Sequence, residues 1–355
     1  GQYERMNYPS KSMSGRYLFH PLAKARMTMT KLRFRSLSGR GKAAEISLDE
    51  AAAKLAKGGW LDIKNPSEDE KDFLLACGFH ELAVEDCFTE PITRFYVYDD
   101  HKFVVLLARD KDRGDLDTEY LNVFVRDNHI VTVRHSAMPA IDEFERRLRT
   151  DRSQNRSVLG AEYLLYELLD EVADDWYNVL EKCNERLETI EDNVLDPHTR
   201  YPDLLERMHE IKQDLREIHK SSQPLNRIIA RMMRRDSDFV PEELKVFYQD
   251  LADQAKGIDE RVNNLSTGTS SVRDTYISQS SLVFAESNQR LTEVISTITL
   301  IGAIILPLTL ITSVFGMNLG AFGAGGGVYD LKHVLAVMAG FTVIAGIWFR
   351  KKGWL

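Results

Sequence analysis

The chain has 355 residues, 43% of them hydrophobic, with 54 Asp or Glu against 46 Lys or Arg and a formal net charge of -8. That is enough for about two domains with a buried core, and it excludes a disordered or collagen-like chain. Its three cysteines, Cys77, Cys87 and Cys183, lie far apart with no His pair at ligand spacing, which argues against a disulfide scaffold or a structural zinc site.

The first 42 residues hold ten Lys or Arg and one acid, Glu4, so the rest of the chain carries 36 basic and 53 acidic residues. Residues 1–30 read as a basic arm, mobile or tag-derived and expected to be disordered. From 31 to 150 the pattern is α/β. Leu32–Leu37, Trp60–Ile63, Ile92–Tyr98, Lys102–Arg109, Tyr120–Arg126 and His129–Arg134 are short alternating or β-branched runs. Asp99-Asp100 and Asp127-Asn128 suit hairpin turns, since Asp and Asn tolerate left-handed backbone angles. Ser67 with Glu70 three residues later marks the start of a capped helix running to Cys77.

After Ser157 the strands stop. Residues 151–240 read as a helical hairpin, Leu159–Leu195 and Asp203–Arg235, with Asp196-Pro197 and Pro202 at the bend. A third helical pattern starts behind Pro241 and runs without another proline to Pro307, reaching Phe315, although Gly257 and Gly268 lower the local propensity. Such a helix would be on the order of 110 Å long, so it must leave the globular domain.

Val294–Phe315 has no charged residue over about 22 positions, enough to cross the roughly 30 Å hydrocarbon layer of a bilayer. Residues 334–349 form a second uncharged run, which needs flanking residues to complete its span. The division is therefore a stalk helix continuing into a first membrane span at 241–315, an outer loop at 316–333, a second span at 334–349 and a basic tail at 350–355. Arg350, Lys351 and Lys352 follow the second span, whereas the loop holds only Lys332; both chain ends are expected on the cytoplasmic side.

Thr292, Ser296, Thr299, Gly302, Leu306, Thr309 and Ser313 recur every three or four positions and share one face of the first span. Hydroxyls gain nothing from lipid, so this face should meet other helices or water. Helix packing and pore lining both stay open from the stripe alone. Two spans per chain cannot enclose a pathway, so a pore implies an oligomer.

Gly316-Met317-Asn318 closes the first span, preceded by Leu306-Pro307-Leu308-Thr309, and the second span ends in a basic stretch with Trp354-Leu355. With Leu82-Ala83-Val84-Glu85-Asp86, Asp99–Leu107, Ile130-Val131-Thr132-Val133 and Glu162–Glu181, these blocks resemble, in order, the CorA family of divalent metal ion channels. The resemblance implies a funnel-shaped homopentamer of the inner membrane, with an α/β cytoplasmic domain, a long helical stalk and two transmembrane helices. It places Gly316, Met317 and Asn318 at the outer mouth, where a carboxamide ring would hold a hydrated Mg2+ without trapping it. It puts Ile298 and Leu306 at apolar constrictions, Gly302 and Thr309 at pore-facing positions, and Thr292 at the cytoplasmic end; Ser313 lies on the same stripe. Glu85, Asp86, Asp175 and Asp250 fall at the family's intracellular metal-sensing sites between subunits, with hard oxygens that suit Mg2+.

There are departures from the family pattern. Leu319–Val328 is glycine-rich and lacks an acid, and Asp330 is the one carboxylate of the outer loop. A loop of this kind occurs in the related ZntB branch, which moves zinc. Residues 278–288 also look longer than their family counterpart. The expected cargo is Mg2+, with Co2+ or Ni2+ beside it and Zn2+ as the alternative; the expected partners are these ions, the bilayer and further copies of the chain. No nucleic acid is expected, and no enzyme: there is no phosphate-cradling loop between strand and helix and no nucleophile with a recognisable base. A membrane-anchored structural or signalling protein would leave the polar stripe and Asn318 without a role.

Overall fold

The computed structural model describes residues 30–36, 42–89, 92–149, 156–195, 203–234, 237, 239–316 and 331–353. The chain divides into two units, residues 1–270 and 271–355.

In the first unit, among the described residues, seven strands form one sheet: β1 (Lys31–Arg35), β2 (Ala44–Glu45), β3 (Gly59–Lys64), β4 (Arg94–Val97), β5 (Lys102–Arg109), β6 (Thr118–Arg126) and β7 (His129–Arg134). Their order is β2-β1-β3-β7-β6-β5-β4, antiparallel except where β3 runs parallel to β7, with Leu61 opposite Val131 and Ile63 opposite Val133. The strands predicted at 102–109 and 129–134 have those bounds; the one at 32–37 ends at Arg35, and the one at 92–98 shortens to β4. The β6–β7 turn is left-handed at Asp127, φ 42°. The Asp99-Asp100 turn needs no positive φ at either residue.

Helices cover both sheet faces, which is why β3, β5, β6 and β7 are buried along most of their length. On one face α1 (Leu48–Leu55), α2 (Glu68–Ala76) and α3 (Glu81–Asp86) bring Leu55, Leu74, Ala83 and Val84 onto Leu61, Ile63, Phe103 and Phe124. The predicted cap of α2 is present: the Ser67 hydroxyl accepts from the Asp69 N–H, and the Glu70 carboxylate reaches back to the Ser67 N–H at 2.8 Å. On the other face α4 (Pro139–Leu148) sets Phe144 edge-on against Trp60, ring centroids 5.2 Å apart. Gly59 opens β3 where no other residue fits, since a Cβ there would overlap the Arg35 carbonyl and lie 2.8 Å from Phe34 Cζ.

α5 (Arg156–Leu195) is broken at Gly160, φ 77°, and is regular beyond it. α5 and α6 (Leu204–Met232) lie within residues 151–240 and pack against each other. α6 carries Pro224 inside it, and its buried Met208, Ile211, Leu215, Ile218, Ser222 and Leu225 recur every three or four residues. A 3-10 turn at Glu242–Leu244 leads into α7 (Lys245–Gly316), of which residues 245–270 belong to the first unit. Leu244, Tyr248, Leu251, Ala255, Ile258, Val262 and Leu265 are buried at alternating steps of four and three, the heptad pattern of coiled-coil packing. Gly257 lies where a Cβ would collide with the Tyr177 hydroxyl, which donates to the Gln254 carbonyl at 2.9 Å.

The second unit holds the rest of α7 and α8 (Leu331–Lys351). Among the described residues one helix, the one containing α7, is long and apolar enough to cross a membrane.

Candidate functional site

Within α7 the run from 294 to 314 is continuous helix and carries no charge. Thr292, Ile298, Leu306, Thr309 and Ser313 are all exposed on the single chain, Ile298 at 63% and Leu306 at 72%, and nothing lies within 4 Å of a Cβ built on Gly302. For the aliphatic Ile298 and Leu306, burial away from water is worth roughly 2 kcal/mol each.

The threonines have a specific posture. Thr292 Oγ1 donates to the Asn288 carbonyl at 2.8 Å, Thr299 Oγ1 to Ile295 at 2.7 Å and Thr309 Oγ1 to Ile305 at 2.8 Å. Each hydroxyl thus spends its one hydrogen inside the helix and keeps its lone pairs outward. A surface of acceptors suits the waters around a cation, because those waters present hydrogens. Pro307 sits inside the helix and offers no N–H, which leaves the Ala303 carbonyl without its helical donor beside Leu306. Gly316 is the last residue of α7; Met317 and Asn318, the rest of the predicted outer mouth, lie outside the described residues. α8 closes with Arg350 and Lys351, and Lys352 Nζ lies 5.9 Å from the Trp348 ring centre.

The four carboxylates predicted to sense metal fall into two kinds. Asp86 and Asp175 are buried and held by arginines of the same chain. Arg94 Nη2 lies 2.6 Å from both Asp86 oxygens, while Arg109 grips Asp175 in fork geometry, Nη2 to Oδ1 at 2.6 Å and Nε to Oδ2 at 3.0 Å. These hydrogen bonds hold both guanidinium groups above their ordinary pKa. Glu85 on α3 and Asp250 on α7 are exposed. Asp250 makes itself felt at Tyr166, whose phenol is pushed up first by burial and then by the charges of Asp170 and Asp250. Among the described residues no three His, Cys, Asp or Glu side chains converge to hold a metal ion. Among the described residues, the Glu85 and Asp250 carboxylates are thus exposed, whereas Asp86 and Asp175 are paired with arginines.

The motif reading missed the arginines, and it missed an acidic row on α5. Arg147 reaches Asp170 at 2.5 Å and Glu171 at 2.9 Å, and Asp174 accepts from Gln254 Nε2 at 2.5 Å. Burial pushes Glu171 up to about 7, and burial with the Asp170 charge raises Asp174. The i, i+3, i+4 spacing of 167, 170, 171 and 174 was the available signal.

The family model described as CorA-like Mg2+ transporter protein matches residues 56–351, which takes in strands β3 to β7 of the sheet and helices α2 to α8. The chain belongs to that family. Divalent-cation transport across a membrane, rather than tethering or signalling, is therefore the activity of this CorA-like chain. It is 28% identical over 300 residues to the putative metal ion transporter YfjQ of Bacillus subtilis, covering 83% of this chain and 89% of that protein. It is also 28% identical over 283 residues to the cobalt/magnesium transport protein CorA of Thermotoga maritima, covering 78% of this chain and 77% of the relative. Its fold is that of the complete CorA magnesium transporter structure from Methanocaldococcus jannaschii, with a TM-score of 0.58 at 18% identity over 92% of this CorA-like chain and 99% of that one. The ZntB cytoplasmic domain from Vibrio parahaemolyticus matches with a TM-score of 0.55 at 13% identity, covering 71% of this chain and 97% of the domain.

Proposed function

We propose that the chain assembles as a homopentamer of the inner membrane, with both termini in the cytoplasm, and conducts hydrated Mg2+, with Co2+ and Ni2+ as further cargo. The observation that carries this reading is the hydroxyl face of α7, where Thr292, Thr299 and Thr309 turn their lone pairs outward from an otherwise apolar helix. Five copies of that face would line a neutral path in which the ion keeps its water, and Mg2+ gives up water reluctantly. Ile298 and Leu306 on the same helix would close the path by dewetting, Gly302 and Ser313 would leave it room and polarity, and Asn318 with Gly316 and Met317 would select at the outer end. α8, with its 21 residues, would form the second span, its basic end on the cytoplasmic side. A Mg2+ on the cytoplasmic side would favour the closed assembly through Glu85 and Asp250, whose carboxylates are exposed. Asp86 and Asp175 would join only by exchanging an arginine for the metal.

One observation favours Zn2+ as the cargo instead, the glycine-rich sequence Leu319–Val328 without an acid. Uptake into liposomes loaded with ion indicators, measured side by side for Mg2+ and Zn2+ in the unmodified chain and in Asn318→Ala, decides between them. Mg2+ flux that Asn318→Ala abolishes supports the proposal. Zn2+ flux without Mg2+ flux replaces the cargo, and an Asn318→Ala protein that conducts like the unmodified one removes the selectivity role.

A further inference from the structure

Outside the ion pathway the sheet carries a group of aromatic and titratable side chains that the transport reading does not use. It gathers at the turn between β4 and β5. His101 is buried there, its side chain 1% exposed, in a place where a charged imidazole would lose its water. Its ring stacks on Tyr98 at 4.6 Å and meets the edge of Phe79 at 5.3 Å, with Phe124 at 6.2 Å. The partners of its two nitrogens define its state. Nδ1 lies 2.6 Å from Asp100 Oδ1, an acceptor, so Nδ1 carries the hydrogen. Nε2 then holds a lone pair and accepts from the His80 backbone N–H at 3.4 Å. His80 is the N-cap of α3: its own Nδ1 accepts from the Leu82 N–H, and its ring stacks on Tyr98 at 4.4 Å.

We propose that His101 is an acid-sensitive latch that ties the β4–β5 turn to the start of α3 and holds only while its imidazole is neutral. A proton on Nε2 would turn the acceptor into a donor facing another donor, the His80 N–H. The charges that face the ring decide whether that proton is tolerated. Asp100, in the turn, favours it. Its carboxylate is already matched by Arg126 of β6, whose Nη2 reaches Asp100 Oδ2 at 2.7 Å and whose Nε reaches the Asp100 carbonyl at 3.2 Å. Arg126 and His80 both oppose a second positive charge, Tyr98 supplies a neutral phenol, and Phe79 and Phe124 supply no compensation. His129 of β7 lies beyond Phe79, ring centroids 6.4 Å apart. Burial accordingly moves the His101 pKa below its ordinary value, against the pull of Asp100. The signs agree: the released imidazole binds a proton more readily than the latched one, so acid favours release.

Release frees one end of α3, the helix whose other end carries Glu85 and Asp86. The latch does not depend on the sensing role of those two residues, and its test does not measure transport. Hydrogen exchange of the full-length chain, corrected for intrinsic exchange and followed from pH 7.5 to 5, reports the segment from His80 to Cys87 and the Tyr98 amide. Exchange there is expected to accelerate as pH falls below about 6.5, with a limit of about tenfold per pH unit. The acceleration should vanish in His101→Phe and in His101→Asn and persist in His129→Gln. A flat profile in the unmodified chain overturns the proposal. So does a response that survives in either His101 variant, or one lost in His129→Gln. Should neither His101 variant fold, titration of assigned ring-labelled histidines in the unmodified chain decides: the latch requires the His101 imidazole to titrate below about 6.5, and a His101 titration at or above that value refutes it.

Discussion

Asp175→Asn should unfold the first unit more easily while leaving metal binding to the chain intact, and Asp250→Asn should do the reverse. Asp175 accepts two hydrogen bonds from Arg109, and the two side chains are only 9% and 13% exposed. Replacing the carboxylate with an amide leaves a buried guanidinium facing a neutral partner, a change that costs roughly 3–5 kcal/mol in buried pairs. The lower end applies here. Arg109 keeps a bond to the Asp115 carbonyl at 3.3 Å and has the exposed Asp115 carboxylate 3.8 Å away. At about 2–4 °C per kcal/mol for a unit of this size, the unfolding midpoint should fall by roughly 6–12 °C. Asp250 is exposed and Asp250→Asn should shift stability by no more than about 0.5 kcal/mol. Thermal unfolding of the full chain in detergent, with and without Mg2+, separates the two effects. An ion at a hundred times its dissociation constant stabilises by about 2.7 kcal/mol, and that increment should shrink in Asp250→Asn and survive in Asp175→Asn. If Asp175→Asn unfolds like the unmodified chain, or loses the Mg2+ increment while Asp250→Asn keeps it, the division of the carboxylates is wrong.

Leu306→Asn should raise basal ion leak through liposomes, since a ring of amides wets more readily than a ring of leucines; an unchanged leak in a folded protein would move the constriction to Ile298. Gly59→Ala should cost about 2–4 kcal/mol, because its Cβ would meet the Arg35 carbonyl and the Phe34 ring, and a thermal midpoint within a degree of the unmodified chain would contradict the strand contact. Glu171, pushed up to about 7 by burial, binds its proton more tightly in the folded state, so it makes the first unit less stable as pH rises from about 4.5 to 7. Glu171→Gln should flatten that part of the profile of midpoint against pH, and an unaltered slope would show that Arg147 fully compensates the charge.

How much of this was legible depended on how local each cause is. The α2 cap needs only Ser67 and Glu70, and the β6–β7 turn only Asp127, so both were readable. β4 was overextended because Ile92 and Tyr98 look like strand residues, while pairing with β5 covers only Arg94 to Val97. α3 escaped notice because it has six residues and a histidine cap, neither of which leaves a periodic trace. Pro224 was no guide to the course of α6, since packing of its apolar stripe outweighs one missing N–H. The carboxylates were located by motif, but their partners were not: Arg94 stands eight residues from Asp86 and Arg109 stands 66 from Asp175. Only the register of β5 beside α5 makes the second pair. Position along the chain suggested four carboxylates for a metal, and tertiary structure shows that Asp86 and Asp175 among them are held by arginines.

The parallel pairing of β3 with β7 has a consequence for how the chain folds. β5, β6 and β7 are neighbours in sequence and can zip as a meander within microseconds, whereas β3 meets β7 across about 70 residues. Closing a loop of that length costs on the order of 4 kcal/mol of chain entropy, and little is gained until Leu61 and Ile63 lie beside Val131 and Val133. That seam should therefore form last. Until it does, the growing chain exposes the β3 edge of one part and the β7 edge of another, two unpatrolled apolar borders that are open to mispairing. A ribosome delivering residues in order makes the wait unavoidable, because β7 is synthesised after every other strand of the sheet.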